Sequence, residues 1–233
     1  MLEVKDLYVG YYKDLNILQG VTAVAQEAKI TTILGANGVG KSTLLKAIYG
    51  FLRPNSGEVL LGGASLLGVP THERIDMGIS YIPQQPGVFH WMSVEENLEL
   101  GAWTFRSDKA RIQRKLEENY ERFPALKDRR KSKAGELSGG MQRMVEVGRT
   151  LMTDPTVILV DEPTAGLAKL LSEEVYRMLV RLRDEEGMTI VLVDQEIRQA
   201  LKIADYVYVL ELGRNRFEGP VEEFTDLKKA FWV

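Results

Sequence analysis

The sequence predicts an α/β fold: a parallel-sheet core carrying a glycine-rich turn, an antiparallel β subdomain at the N-terminus and an inserted α-helical subdomain. Three observations predict it. Residues 157–160 and 189–193 read as strands buried on both faces, and Val175, Met178, Leu179 and Leu182 mark an amphipathic helix between them, which together make a βαβ pattern. Residues 30–34 read as a strand that runs into a glycine-rich turn and then a helix. Residues 2–32 alternate apolar and polar around turn material at 10–16 and Gly20, the pattern of short antiparallel strands.

The remaining elements follow in chain order. Ser42 to Tyr49 reads as a helix closed by Gly50, because glycine accepts the left-handed cap. A β segment covers 57–61 and ends at Gly62-Gly63. Ser93-Val94-Glu95-Glu96 fits a capping box for a helix through about Thr104. Ile112, Leu116 and Phe123 lie at helical spacing in a charged stretch that stops at Pro124. Met141, Met144, Val145, Gly148, Leu151 and Met152 form one face of a helix that begins after Ser138-Gly139-Gly140. The organisation is one domain over 1–233, with a core lobe from 1–87 and 151–233 and a helical subdomain from 88–150.

Composition excludes several classes of function. The chain has 233 residues, 45% apolar and 27% charged, enough for a substantial core. Thirty Lys and Arg against 33 Asp and Glu leave a charge of −3, so no global basic excess points to nucleic acid. Cysteine is absent, which removes disulfides, zinc-thiolate sites and thiol nucleophiles. Two histidines, His72 and His90, exclude a three-His metal site and read as ordinary surface or loop residues. The N-terminus lacks the pattern of a signal peptide and the longest apolar runs are far short of a membrane span. The chain therefore reads as soluble and cytosol-type, with any membrane role exerted through a partner.

The chemistry lies in three motifs. Gly35-Ala36-Asn37-Gly38-Val39-Gly40-Lys41-Ser42-Thr43 stands between a strand and a helix, the context that the phosphate-binding loop demands. Its glycines let the backbone wrap phosphates, Lys41 adds charge at the β and γ positions, and Ser42 ligates Mg²⁺. The apolar run 157–160 ends in Asp161, a second carboxylate for Mg²⁺, and Glu162 follows, where it can orient or deprotonate an attacking water. Leu137-Ser138-Gly139-Gly140-Met141-Gln142 ends its serine 23 residues before Asp161. Ser138 and two glycines opening a helix make a second anion site.

With that third motif the sequence resembles the ATP-binding cassette family, from about residue 2 to residue 220. The resemblance implies a P-loop NTPase core with ATP and Mg²⁺ as ligands. It implies that Ser138, Gly139, Gly140 and Gln142 reach the γ-phosphate held by a partner subunit, so that a head-to-tail pair of ATPase subunits completes two sites. Gln84, in Tyr81-Ile82-Pro83-Gln84, matches the glutamine that touches Mg²⁺ and the attacking water; Gln85 stands beside it, and the spacing after Ile82-Pro83 favours Gln84. Tyr11 or Tyr12 matches the aromatic that stacks on adenine, with Tyr11 favoured by its spacing to Lys13.

Two departures from the family pattern stand out. Position 168 is Ala where the family ends its D-loop with Asp. After the strand 189–193 the family places a switch histidine on the γ-phosphate, whereas this chain reads Val193-Asp194-Gln195-Glu196. Gln195 can offer an amide N–H to a phosphate oxygen but cannot ionise, so hydrolysis rests more heavily on Glu162. Gln195 and Ala165-Gly166-Leu167-Ala168 are similar to the ATPase subunits of branched-chain amino acid importers.

The resemblance implies an ATP-hydrolysing importer subunit, at the inner face of the membrane, that energises separate permease subunits, with a solute-binding protein in the full system. Selectivity for the solute then lies outside this chain. The alternatives are a soluble switch ATPase of translation or DNA repair, and a small-molecule kinase, which the 137–142 motif counts against. The segment 106–133 holds eleven Lys or Arg against five acids. It reads as a solvated helix and loop, with anionic lipid or a transmembrane subunit as the sharper alternative and nucleic acid the least favoured.

Overall fold

The structure, a computed structural model, describes residues 1–12, 15–85 and 87–224; Lys13, Asp14, Pro86 and residues 225–233 lie outside the described residues. In chain order the elements are β1 (Leu2–Val9), β2 (Leu18–Ala25), β3 (Ile30–Leu34), α1 (Lys41–Tyr49), β4 (Ser56–Leu61), β5 (Ala64–Ser65), α2 (Thr71–Asp76) and β6 (Ile79–Ile82). They continue with α3 (Val94–Glu99), α4 (Lys109–Arg122), α5 (Pro124–Asp128), α6 (Gly139–Leu151), β7 (Val157–Asp161), α7 (Lys169–Glu186), β8 (Thr189–Val193), α8 (Ile197–Ile203), β9 (Tyr206–Glu211) and β10 (Arg214–Pro220).

Two sheets form. One has four strands in the order β2-β1-β4-β5, all antiparallel; the other has six in the order β10-β9-β3-β8-β7-β6. In the six-stranded sheet β9, β3, β8, β7 and β6 are parallel and only β10 runs antiparallel at the edge. Every residue of β3, β7 and β8 is buried, as apolar runs without alternation require. Their side chains divide by pleat. Val157 and Leu159 join a core shared with α1, β1 and β2, whereas Ile158 and Val160 join a core shared with α3, α4, α6, α7 and α8. Helical and antiparallel layers therefore cover opposite faces of the parallel sheet.

Three local expectations need correction. Helix α1 begins at Lys41, one residue before the expected Ser42, and ends at Gly50 in the left-handed conformation with φ 91°. The capping box of α3 is formed in both directions, Glu96 N–H to Ser93 Oγ at 3.1 Å and Ser93 N–H to Glu96 Oε2 at 2.7 Å. That helix stops at Glu99, however, and residues Leu100–Phe105 continue as a tighter 3₁₀ turn. Pro124 does not merely stop a helix; it occupies the first turn of α5, where its missing N–H removes no bond. The antiparallel sheet takes in β4, which covers the expected β segment 57–61, and the short β5 beyond it.

The basic segment folds into α4, α5 and their flanks. Two of its cations turn inward: Lys115 pairs with Glu118 at 2.6 Å and with Asp154, and Arg122 forks onto Glu186 at 2.7 and 2.8 Å. Arg129, Arg130, Lys131 and Lys133 are exposed. Among the described residues no helix is long and apolar enough to cross a membrane.

Candidate functional site

The C-terminal ends of β3, β6, β7 and β8 meet at one edge of the core, and the site is built there. Strand β3 hands the chain to a loop in which Gly35, Gly38 and Gly40 have φ of 148°, 82° and 109°. Two of these positions need glycine for space as well as for conformation. A Cβ on Gly35 would stand 2.5 Å from the Leu210 carbonyl oxygen, and one on Gly40 would stand 2.5 Å from Leu18 Cδ2. Gly40 is the N-cap of α1 and supplies no side-chain acceptor. The first N–H groups of α1 are thus left to an incoming anion, which the helix dipole also favours.

Lys41, 4% exposed, folds back over this loop and donates to the carbonyl oxygens of Gly35 at 2.9 Å and Ala36 at 3.0 Å. Burial pushes its pKa down, and the charges of Glu162, Asp161 and Asp194 oppose that shift. Ser42 Oγ donates to Asp161 Oδ1 at 2.8 Å across 119 residues of sequence. Strand β7 delivers Asp161 to that spot, and Tyr81 OH donates to its other oxygen at 2.8 Å. Burial and the neighbouring Asp161 raise the Tyr81 pKa, so its hydroxyl stays protonated as a donor. Sequence reasoning missed Tyr81. Its signal was the short apolar run 79–82 between Gly78 and Pro83, a strand of only four residues.

Glu162 has φ 44°, a left-handed conformation that costs a non-glycine residue roughly 1–2 kcal/mol. Its own N–H donates to the Val193 carbonyl oxygen at 2.8 Å, which ties the turn after β7 to the end of β8. The carboxylate is 7% exposed and its Oε2 accepts from Gln84 Nε2 at 2.6 Å and from Gln195 Nε2 at 2.5 Å. Two residues read separately from the sequence therefore converge on one carboxylate oxygen of a third. Just beneath them Asp194 is buried, accepting from Tyr176 OH at 2.9 Å, from Thr164 Oγ1 at 3.4 Å and from Glu196 N–H at 2.9 Å. Burial raises its pKa.

A cavity of about 370 Å³ is lined by Tyr11, Asn37, Gly38, Gly40, Lys41, Ser42, Thr43, Gln84, Glu162 and Gln195. Tyr11 is half exposed on its wall, 5.9 Å from Lys46 Nζ, whereas Tyr12 is not part of the lining. Val39 packs against the antiparallel-side core. Gln85 is exposed and does not line this cavity.

Ser138 does not line it either. Its Oγ accepts from Met141 N–H at 3.4 Å as the N-cap of α6, with Gly139 and Gly140 opening the helix. The Gln142 amide turns back to the carbonyl oxygens of Ala134 and Leu137 at 3.1 and 3.3 Å. Ala168 is the exposed N-cap of α7 and makes no side-chain cap bond. His72 and His90 are both exposed, and neither lines this cavity.

A phosphate loop, an adjoining carboxylate pair and a serine-glycine helix start on a doubly covered parallel sheet define a nucleotide-binding phosphate-loop ATPase. The family described as ABC transporter matches residues 18–165, well over half of the chain, and the chain belongs to that family as an ATP-binding, ATP-hydrolysing transporter subunit. The probable branched-chain amino acid transport ATP-binding protein LivF of Archaeoglobus fulgidus is 39% identical over 98% of this chain and 96% of its own. The high-affinity branched-chain amino acid transport ATP-binding protein BraG of Pseudomonas aeruginosa is 40% identical over 88% of this chain and 86% of its own. A solved ATP-binding cassette, dimeric in a post-hydrolysis state with ADP and phosphate, superimposes with a TM-score of 0.81 at 25% identity, covering 95% of this chain and 99% of that one. The transport roles in both relatives' names favour transport over the soluble-switch alternative.

Proposed function

We propose that this chain energises the import of branched-chain amino acids through separate permease subunits, working as a two-fold pair at the inner face of the membrane with a solute-binding protein in the full system. The solute class is carried over from LivF and BraG, which are named for it and are similar along nearly the whole chain. The core lobe and the helical segment 88–150 act as one cassette. ATP lies along the phosphate loop with its adenine against Tyr11, a stacking contact of about 1–3 kcal/mol.

Mg²⁺ fits the donor set beside it. The Ser42 hydroxyl and the Asp161 carboxylate are already in contact, both are hard oxygen donors, and Mg²⁺ takes one or two such protein ligands together with phosphates and waters. Gln84 completes that set. When bound, Mg²⁺ supplies neutralisation of the charge on the β and γ phosphates. The first N–H groups of α1 and Lys41 hold the phosphate oxygens. Glu162 orients or deprotonates the attacking water, and the amides of Gln84 and Gln195 fix the carboxylate while offering N–H groups to water and γ-phosphate. The Ser138-Gly139-Gly140 turn, standing outside its own nucleotide cavity, faces the γ-phosphate of the paired subunit.

The observation that carries the hydrolytic part of this reading is the convergence of Gln84 and Gln195 on Glu162, all three lining the phosphate cavity. Glu162→Gln keeps the shape and loses the base. Turnover is expected to fall by more than about 100-fold, within the usual range for general-base loss, while ATP binding measured by equilibrium titration stays near the parent and a dimer accumulates with ATP. Parental turnover in that variant rules Glu162 out as the base. Recovery of a multi-span membrane protein with the purified full chain supports the transport reading, and ribosomes or DNA in its place rule it out.

A further inference from the structure

Arg143 lies in the second turn of α6 and is 1% exposed, an uncommon place for a guanidinium. Its Nη1 donates to the Pro83 carbonyl oxygen at 2.7 Å and to Glu146 Oε2 at 2.5 Å, and its Nη2 donates to the Gln84 carbonyl oxygen at 2.5 Å. Glu146, equally buried, uses its other oxygen to accept from Gly87 N–H at 2.8 Å. Arg149, one turn further on, donates to the Gly87 carbonyl oxygen at 2.8 Å. Helix α6 therefore grips the main chain on both sides of Gln84, at three residues, through side chains only.

A stability role explains this badly. Both charges are taken out of water, and such a pair is often matched or exceeded in stability by apolar residues of the same volume. What the pair does uniquely is fix the direction of the peptide that carries Gln84. That residue is exposed, so no packing sets where its side chain reaches, and the placement of its main chain decides whether the amide can reach Glu162. Its amide nevertheless meets Glu162 Oε2 at 2.6 Å.

We propose that Arg143, locked by Glu146, is a positioning residue for hydrolysis: it fixes the main chain of Pro83 and Gln84 so that the Gln84 amide reaches Glu162 and the attacking water. Because α6 starts at the Ser138 turn, only five residues and about 7.5 Å of helix separate that turn from the clamp. This inference rests on the reading of Gln84 and Glu162 as the hydrolytic pair.

The test is a double-mutant cycle on the full chain, following kcat and KM for ATP with unfolding midpoints alongside. Arg143→Met together with Glu146→Leu removes both buried charges at once, and Arg143→Lys keeps the charge but loses the fork that spans two carbonyl oxygens. Each change is expected to lower kcat, about tenfold or more for the pair and severalfold for the lysine, with KM within about twofold; made in a Gln84→Ala background, each costs less than about twofold further. Losses that multiply with Gln84→Ala, or a parental kcat in Arg143→Lys, overturn the proposal. If Gln84→Ala itself turns over at the parental rate, the reading of Gln84 falls and the proposal with it. If Gln84→Ala is slow while both Arg143 variants are parental, the role of Gln84 stands and only that of Arg143 is lost.

Discussion

Asp194 illustrates how much a single residue's surroundings decide. It follows a fully buried strand, and its carboxylate is satisfied by Tyr176, Thr164 and the Glu196 N–H, yet burial still raises its pKa above the ordinary value. The folded state therefore holds that proton more tightly than the unfolded chain does. The stabilisation is complete below the ordinary carboxylate value near 3.9 and is lost as pH rises through the native value. Asp194→Asn replaces the carboxyl with an amide that does not ionise. Relative to the parent, the variant should gain stability as pH rises from about 4 and level off once the native value is passed, and urea midpoints measured from acid to neutral pH should show it; parallel curves would sink the assignment. At the neighbouring position, the amide of Gln195 was legible as a non-ionising donor. That it shares an acceptor atom with Gln84 was not, because the two residues stand 111 positions apart in sequence and are joined only through Glu162.

Among the elements, those with local stop and start signals were legible. Gly50 ends α1, Ser93 and Glu96 start α3, and Ser138 starts α6, each through bonds within a few residues. Elements of four to seven residues, such as β6, α2 and α8, carried too little periodicity to read. Helix α7 is an exception of another kind, since its 18 residues begin on Ala168 with no side-chain cap. Ala168→Asp supplies the acceptor for the first turn and a negative charge at the positive end of the helix. It should stabilise the chain by about 1 kcal/mol, seen as a higher urea midpoint with an unchanged slope. No gain would show that the cap groups of α7 are already satisfied.

For the whole molecule, the nucleotide cavity and the Ser138 turn occupy separate places on one chain. On the reading proposed above each subunit carries two half-sites and completes neither alone, and two-fold pairing closes both at once. Turnover per chain should therefore rise with chain concentration before it levels off, and an ATPase titration over a wide concentration range checks it; a constant rate per chain would mean that one subunit suffices. The segment 106–133 is also tied to distant parts of the chain by Arg122 to Glu186 and Lys115 to Asp154, contacts that charge counting over 106–133 recorded only as an excess of cations.

The sequence by itself determined the chemistry of the phosphate loop, the acidic pair after β7, the helix start at Ser138 and the absence of a switch histidine. These are local facts, set by glycine's conformational freedom, by buried apolar runs and by caps that bond within four residues. Only the tertiary structure decided which groups meet. The order β3-β8-β7-β6 puts the ends of four distant strands side by side, and from it come the contact of Ser42 and Tyr81 with Asp161, the convergence of two glutamines on Glu162 and the grip of Arg143 on Gln84. Those bonds join residues 33 to 119 positions apart. No spacing along the chain encodes them, because they exist only once burial on both faces of the sheet has fixed the strand order.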